Sequence, residues 1–314
     1  MRCALVLAAM LLAPSDGIAN GEAPPVFQNP ELPPAPPVVD IMSIGSDIPG
    51  RMTVPVKIGG VGPYPFTIDT GAERTVISRE LAARLGLKPG PDVQVTAMTG
   101  PARVGTVVIP SIEVSKANGA RVEAPTLSAE HLGAPGLLGV DTLRNNAVTI
   151  DFDANVMTVR PSRPRYRSRP AEPGEIVVRA KSLLGQLVVT DASYRGRTVR
   201  VVLDTGSVVS VGNSALRRRA QTTITPQPIS LTSVTGQILE ANYSQINGVR
   251  VGGVVFETLP VAFADAPPFQ RFGLDDRPAL LLGMDALRQF RRIDIDFANR
   301  EVRFALPKGK FTPF

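Results

Sequence analysis

Two aspartates in this sequence stand in nearly the same surroundings. Asp69 lies in FTIDTGAERTVIS (Phe66 to Ser78) and Asp204 in VVLDTGSVVSVGN (Val201 to Asn213), 135 residues apart. Each closes an apolar run, and each is followed by threonine, glycine and a small residue, Ala72 or Ser207. Two carboxylates brought within hydrogen-bond distance cannot both ionise readily, so they share one proton and titrate as a pair. The ionised member can take a proton from a bound water as that water attacks an amide carbonyl, while the protonated member donates to the carbonyl oxygen. Such chemistry calls for no metal, no cofactor and no covalent intermediate. Glycine at 71 and 206 suits a turn in which the backbone must come close to a carboxylate.

Other reaction chemistries lack their residues. The chain has one cysteine, Cys3, and one histidine, His131. A serine triad would have to use His131 as its base, no G-x-S-x-G elbow is present, and a zinc site has too few ligands of the right type. His131, beside Leu132 and Gly133, reads as a loop residue. Asp141 and Asp285 follow the glycines of GLLG and LLLG by two positions and are placed to cap short helices beginning at Thr142 and Ala286. Asp151 and Asp296 alternate with apolar neighbours, which predicts solvent-facing positions in a strand.

The elements that must position the two aspartates are written twice. TAMTG (Thr96 to Gly100) is answered by TSVTG (Thr232 to Gly236), GLLGVDTL (Gly136 to Leu143) by LLLGMDAL (Leu280 to Leu287), and VTIDFDANVMTV (Val148 to Val159) by IDIDFANREVRF (Ile293 to Phe304). Four blocks in one order with slowly drifting spacing signal a duplicated domain. Thirty prolines, twenty-eight glycines and 5% aromatics favour short strands and many turns. Period-two alternation predicts strands over Thr53–Ile58, Phe66–Ile68, Val104–Ile109, Ile112–Val114 and Val148–Val159. Helix formers from Ser78 to Leu85, with Ser78 as N-cap and Gly86 just past the end, predict a two-turn helix. The organisation expected is an export signal over 1–19, a proline-rich spacer over 20–40, a first lobe over 41–160, a Pro/Arg-rich linker over 161–174 and a second lobe over 175–307.

This pattern resembles the retropepsin-like aspartic protease family across both halves. The resemblance implies an all-β fold of two pseudo-symmetric lobes, each a small closed barrel with one or two short helices, whose aspartates meet on a pseudo-twofold axis. It implies roles as well: Asp69 and Asp204 as the catalytic pair, Gly71 and Gly206 as backbone donors to them, and Thr70 and Thr205 as the hydroxyls that lock one lobe to the other. Met98, Thr99 and Gly100, with Val234, Thr235 and Gly236, would sit on two β-hairpin flaps over the substrate, and Leu137–Gly139 and Leu281–Gly283 would brace the catalytic loops. Ala72, Glu73, Ser207 and Val208 would line the groove, charged near Glu73 and apolar near Val208. Gly212 stands where the first half has Ile77, an exchange expected to loosen the second loop. The implied activity is endopeptidase on peptide or protein substrates. The alternative is a peptide-binding scaffold of the same fold without turnover.

The remaining expectations concern compartment and partners. Arg2, an apolar run from Ala4 to Ala13, and Gly17 and Ala19 at the −3 and −1 places read as a secretory signal, the run being too short for the ~20 residues that cross a bilayer. An exported chain, periplasmic or extracellular and with no stable membrane insertion after signal removal, follows. The net charge of +6 is concentrated in Arg163, Arg165, Arg167 and Arg169. Such a run among prolines reads as a solvated linker, and with only Tyr166 beside it nucleic acid is not an expected partner. Both lobes in one chain predict a monomer that is an internal pseudo-dimer.

Overall fold

The structure is a computed structural model in which residues 38–40, 52–114, 120–165, 167–189 and 191–307 are described. The expected signal and all but the last three residues of the expected spacer lie outside them. Strands dominate, with six short helices among the described residues, and the chain folds as two lobes of one plan.

In each lobe a pair of antiparallel strands leads to the aspartate, one face buried by alternation in the first strand of lobe one and every residue of Gln186–Val189 buried in lobe two. In the first, Val54–Ile58 pairs with Val61–Ile68, and Val54, Val56 and Ile58 point into the core while Pro55 and Lys57 face out. In the second, Gln186–Val189 pairs with Arg200–Leu203. The registers Val54↔Phe66 and Val189↔Val201 are the same pair shifted by the spacing of the two aspartates, so the repeat read in the sequence is a repeat of pairing. The helix predicted after Ser78 forms over Arg79–Arg84, and the Ser78 hydroxyl accepts from the Leu81 N–H at 3.0 Å as its N-cap.

The Leu-Leu-Gly segments lie at the centre of each lobe. Gly136–Leu138 runs parallel to the strand that delivers Asp69 and antiparallel to Val76–Ser78, the strand that leaves it. Ala279–Leu282 stands in the same place between Arg200–Leu203 and Val211–Gly212. Each aspartate therefore sits at the top of a strand whose neighbour holds both ends of its loop. Gly212 does not loosen this arrangement. It pairs with Leu280 where Ile77 pairs with Gly136, so large and small residues have traded sides. A Cβ on Gly212 would come within 2.9 Å of Val261, and one on Gly136 within 2.2 Å of the Phe66 ring. Both glycines are closely packed, by different neighbours.

Opposite the aspartates the lobes share an antiparallel sheet, ordered Val156–Pro161, Asn146–Asp151, Arg292–Asp296, Glu301–Ala305 and Glu175–Leu183. Its central pairing, Val148↔Ile295 and Ile150↔Ile293 about Thr149↔Asp294, is its own image under the repeat. The pseudo-twofold axis thus passes between Thr149, whose hydroxyl donates to Asp294, and that residue. The arginine-rich segment is exposed, as expected, yet two of its arginines are ion-paired to the sheet. Arg165 pairs with Asp296 at 2.6 Å and Arg169 with Glu175 at 2.9 Å, across the edge of this sheet. Asp296 is accordingly buried rather than solvent-facing, and it also accepts from the Ser162 hydroxyl at 2.8 Å. Asp151 keeps a half-buried place and accepts from the Ala154 N–H.

Candidate active site

Asp69 and Asp204 are both fully buried, and the structure brings their loops together at the junction of the lobes. The joint is reciprocal. The Thr70 hydroxyl donates to the Leu203 carbonyl at 2.7 Å and accepts from the Thr205 N–H at 3.1 Å. The Thr205 hydroxyl donates to the Ile68 carbonyl at 2.8 Å and accepts from the Thr70 N–H at 3.1 Å. A threonine in each loop thereby satisfies backbone groups of the other, and four buried bonds of this kind contribute about 1 kcal/mol each.

Each carboxylate is fixed by its own loop. The N–H groups of Gly71 and Ala72 donate to Asp69 Oδ1 at 2.8 and 3.0 Å, and those of Gly206 and Ser207 to Asp204 Oδ1 at 3.1 and 3.0 Å. The two loops meet so closely that a Cβ on Gly206 would lie 2.3 Å from the carboxyl carbon of Asp69. Glycine is required at 206 because the partner's carboxylate occupies the place of its side chain. Burial first, and the negative charge of Asp69 second, push the Asp204 carboxyl well above its ordinary value of 3.8. The N–H donors of Gly206 and Ser207 act against this shift without cancelling it.

A second tier of bonds lies beneath and was misread in the sequence. The helices run from Val140 to Leu143 and from Met284 to Leu287, with Gly139 and Gly283 at the N-cap, two residues earlier than expected. Asp141 and Asp285 sit inside the first turn. Asp141 accepts from the N–H and hydroxyl of Thr75 at 2.9 and 2.7 Å, and Asp285 from the N–H and hydroxyl of Ser210 at 3.0 and 2.6 Å. Those hydroxyls in turn accept from the N–H of Gly139 and Gly283, both at 3.1 Å. Burial raises both carboxyls above 3.8 despite these donors. The pair ties the chain leaving each catalytic loop to the brace below it. Its signal was present in the sequence, since Thr75 and Ser210 each fall six residues past their aspartate.

The flaps are the hairpins Lys88–Ala97 with Gly100–Val114, and Gln227–Thr232 with Ile238–Ile246. Their tips cross. Met98 is buried in a second-lobe cluster with Val211, Phe269, Phe272 and Leu281, and Val234 in a first-lobe cluster with Ala72, Val76, Leu132 and Leu137. Thr99 donates to Gln237 of the other tip at 2.7 Å. At Gly236, with φ at +83°, a Cβ would lie 2.3 Å from the His131 ring, and Thr235 bonds back to Ser233. Gly100 also has a positive φ, +139°, in the first turn. His131 is therefore on the Ala129–Leu132 helix against a flap, not in a loop.

The groove residues are unlike in the two halves. Glu73 accepts from Arg271 of the second lobe at 3.1 Å, a half-buried pair across the lobes. Ser207 and Val208 border a cavity that reaches Asp69, with Met52, Met157 and Met284 on its walls. Ala72 is enclosed. Arg271 was not singled out in the sequence, where nothing distinguishes it from other surface arginines. Among the described residues no group of three or more His, Cys, Asp or Glu side chains is arranged to hold a metal ion.

Two lobes of one plan, each giving an aspartate to a single buried pair beneath two hairpins, define the aspartic protease class. A family model described as aspartyl protease matches residues 54–142 and 190–286, once per lobe, and the chain belongs to this retropepsin-like family. A comparison with curated proteins gave no match.

Proposed function

We propose that the chain is an endopeptidase that cleaves peptide bonds with water activated between Asp69 and Asp204. The observation that carries this reading is the pair itself: two fully buried carboxylates, each oriented by two N–H donors and locked together by reciprocal threonine bonds. A scaffold that only bound peptides would gain nothing from burying two mutually repelling groups. The pair carries one proton. Its ionised member takes a proton from the water as the oxygen attacks the scissile carbonyl, and the other member protonates the carbonyl oxygen; proton return to the amide nitrogen releases the two product chains. The flaps must lift to admit an extended peptide and close over it to exclude bulk water.

The reading includes export of the chain and action as a monomer. One chain supplies both halves of the site, and Pro36–Phe314 forms one compact unit. The test is incubation with a mixed peptide library from pH 3 to 8, alongside Asp69→Asn and Asp204→Asn proteins. Cleavage is expected in the wild type and a loss of at least about a thousandfold in each variant, in line with removing a member of a catalytic unit. Folded wild type that cuts nothing, or a variant that retains cleavage, would sink the proposal.

A further inference from the structure

The pair is drawn from a duplication, yet its two members are not equivalently supported. Gln186, at the start of the Gln186–Val189 strand of the second lobe, is fully buried, and its Nε2 donates to the Gly71 carbonyl at 3.0 Å. The amide orientation follows from the chemistry, since a carbonyl can only accept and the opposite orientation would set two oxygens against each other. Gln186 Oε1 is buried and accepts no hydrogen bond among the described residues. The side chain is thus held in place for its donor.

The carbonyl that Gln186 engages belongs to the same peptide group as the Ala72 N–H, which donates to Asp69 Oδ1 at 3.0 Å. A hydrogen bond to the oxygen of an amide draws electron density from its nitrogen and strengthens the N–H as a donor. The relay therefore runs from the second lobe, through one peptide plane, to the carboxylate of the first. On the other side the Ser207 N–H donates to Asp204 Oδ1 at the same 3.0 Å. Among the described residues nothing donates to the Gly206 carbonyl, the far end of that peptide group. In the sequence, the offset of 135 residues between the two aspartates sets Arg51, which lies outside the described residues, against Gln186, so the halves differ in residue type at this position.

We propose that Gln186 is a positioning residue that breaks the symmetry of the pair, strengthening the donor to Asp69 so that Asp69 carries the charge and Asp204 carries the proton. Asp69 is then the base toward water and Asp204 the acid toward the scissile carbonyl. The catalytic consequence rests on the protease reading; the order of ionisation does not.

The full chain labelled with 13C at its aspartate carboxyls, its signals assigned with the Asp69→Asn and Asp204→Asn proteins, gives the titration of each member directly. Asp69 is expected to ionise first in the wild type. In Gln186→Met, which keeps the volume and removes the donor, its midpoint should rise by roughly half a unit to one unit, the worth of one buried hydrogen bond. The acid limb of kcat/KM should rise with it, with kcat lowered and KM unchanged, whereas a merely structural role would lower the melting temperature and leave the limb in place. Gln186→Glu provides a second variant of near-identical shape: protonated it donates as glutamine does, and once ionised it should raise the Asp69 midpoint further. Ionisation of Asp204 first in the wild type, or an Asp69 midpoint unmoved in both variants, overturns the proposal. Absence of cleavage by the wild type would remove the protease reading while leaving the titration decisive.

Discussion

At the residue scale the site is a problem of placing charge where water is absent. Asp204 accepts two backbone N–H groups, and yet burial and the neighbouring Asp69 raise its carboxyl well above 3.8. A carboxyl whose proton is held more tightly when folded adds stability below 3.8 and loses it as the pH rises toward the folded value, because the folded state then binds more protons than the unfolded one. Removing that titration should therefore stabilise the fold at neutral pH. Asp204→Asn keeps an acceptor for Gly206 and Ser207 and offers Asp69 a permanent donor, so its melting temperature should exceed that of wild type by several degrees at pH 7. The gain should shrink as the pH falls toward 3.8. Melting curves across pH 3 to 8 decide it, and equal melting temperatures at pH 7 would show that the pair carries no such strain. The same replacement abolishes the proposed cleavage, so stability and activity should move in opposite directions at one residue.

At the scale of elements the flaps are the parts whose behaviour the packing foretells. Each tip leaves its own lobe and buries one apolar side chain in the other, Met98 among the Phe269 cluster and Val234 among the Val76 cluster. Closure is therefore driven by burial of these two residues, and a peptide entering the site must do so against it. Truncation at Met98 removes several buried carbons from a site that cannot fully collapse, a loss of about 2 kcal/mol or more. Met98→Ala should accordingly lower hydrogen-exchange protection in Lys88–Ala97 by roughly thirtyfold, while the shared sheet below keeps its own. Unchanged exchange in that strand would mean that the tip residue does not hold the flap shut. The repeated blocks, and the family resemblance they carry, made the flaps, the braces and the paired aspartates legible in the sequence, because each rests on a motif seen twice. The destination of Met98 was not legible, since a residue at a turn carries no mark of the lobe across from it. The roles of Asp141 and Asp285 were missed for a related reason: an acid near a helix start reads as a cap, and only the fold shows that Thr75 and Ser210 lie within reach. Gly212 shows the converse limit, for a glycine judged alone signals looseness, whereas Val261 and Phe263 close in on the place its side chain would take.

At the scale of the whole molecule, the segment joining the lobes is a working part of their interface. Arg303 is nearly enclosed between Glu175 at 2.8 Å and Glu301 at 2.7 Å, and it donates to the Pro170 carbonyl of the joining segment at 3.2 Å. Arg169 reaches Glu175 from that segment, and Arg165 reaches Asp296. The segment is thereby strapped over the sheet to which both lobes contribute, which fixes the axis on which the aspartates meet at the other end. Composition alone did not show these pairings, because the acid that pairs with Arg165 lies 131 residues further on, within a strand. Burial pushes the Glu175 carboxyl up, but the Glu172 N–H and the guanidinium groups of Arg303 and Arg169 outweigh it and hold it below its ordinary value of 4.5. A carboxyl held down in this way contributes stability above 4.5 and loses it as the pH falls through its folded value. Glu175→Gln leaves Arg303 buried with one counter-charge fewer, a defect that costs about 3–5 kcal/mol when a buried pair is broken. For a chain of this size that corresponds to a melting temperature lower by roughly 10 °C at pH 7. As the pH falls through its folded value the wild type itself loses the charge, so the gap between the two proteins should narrow. A gap that is small at neutral pH, or that does not change with pH, would show that the strap is held by its backbone contacts and not by this ion network. If the gap behaves as expected, acid loosens the strap while it favours a protonated Asp204, and the two ends of one axis set opposite limits on the pH at which the molecule can work.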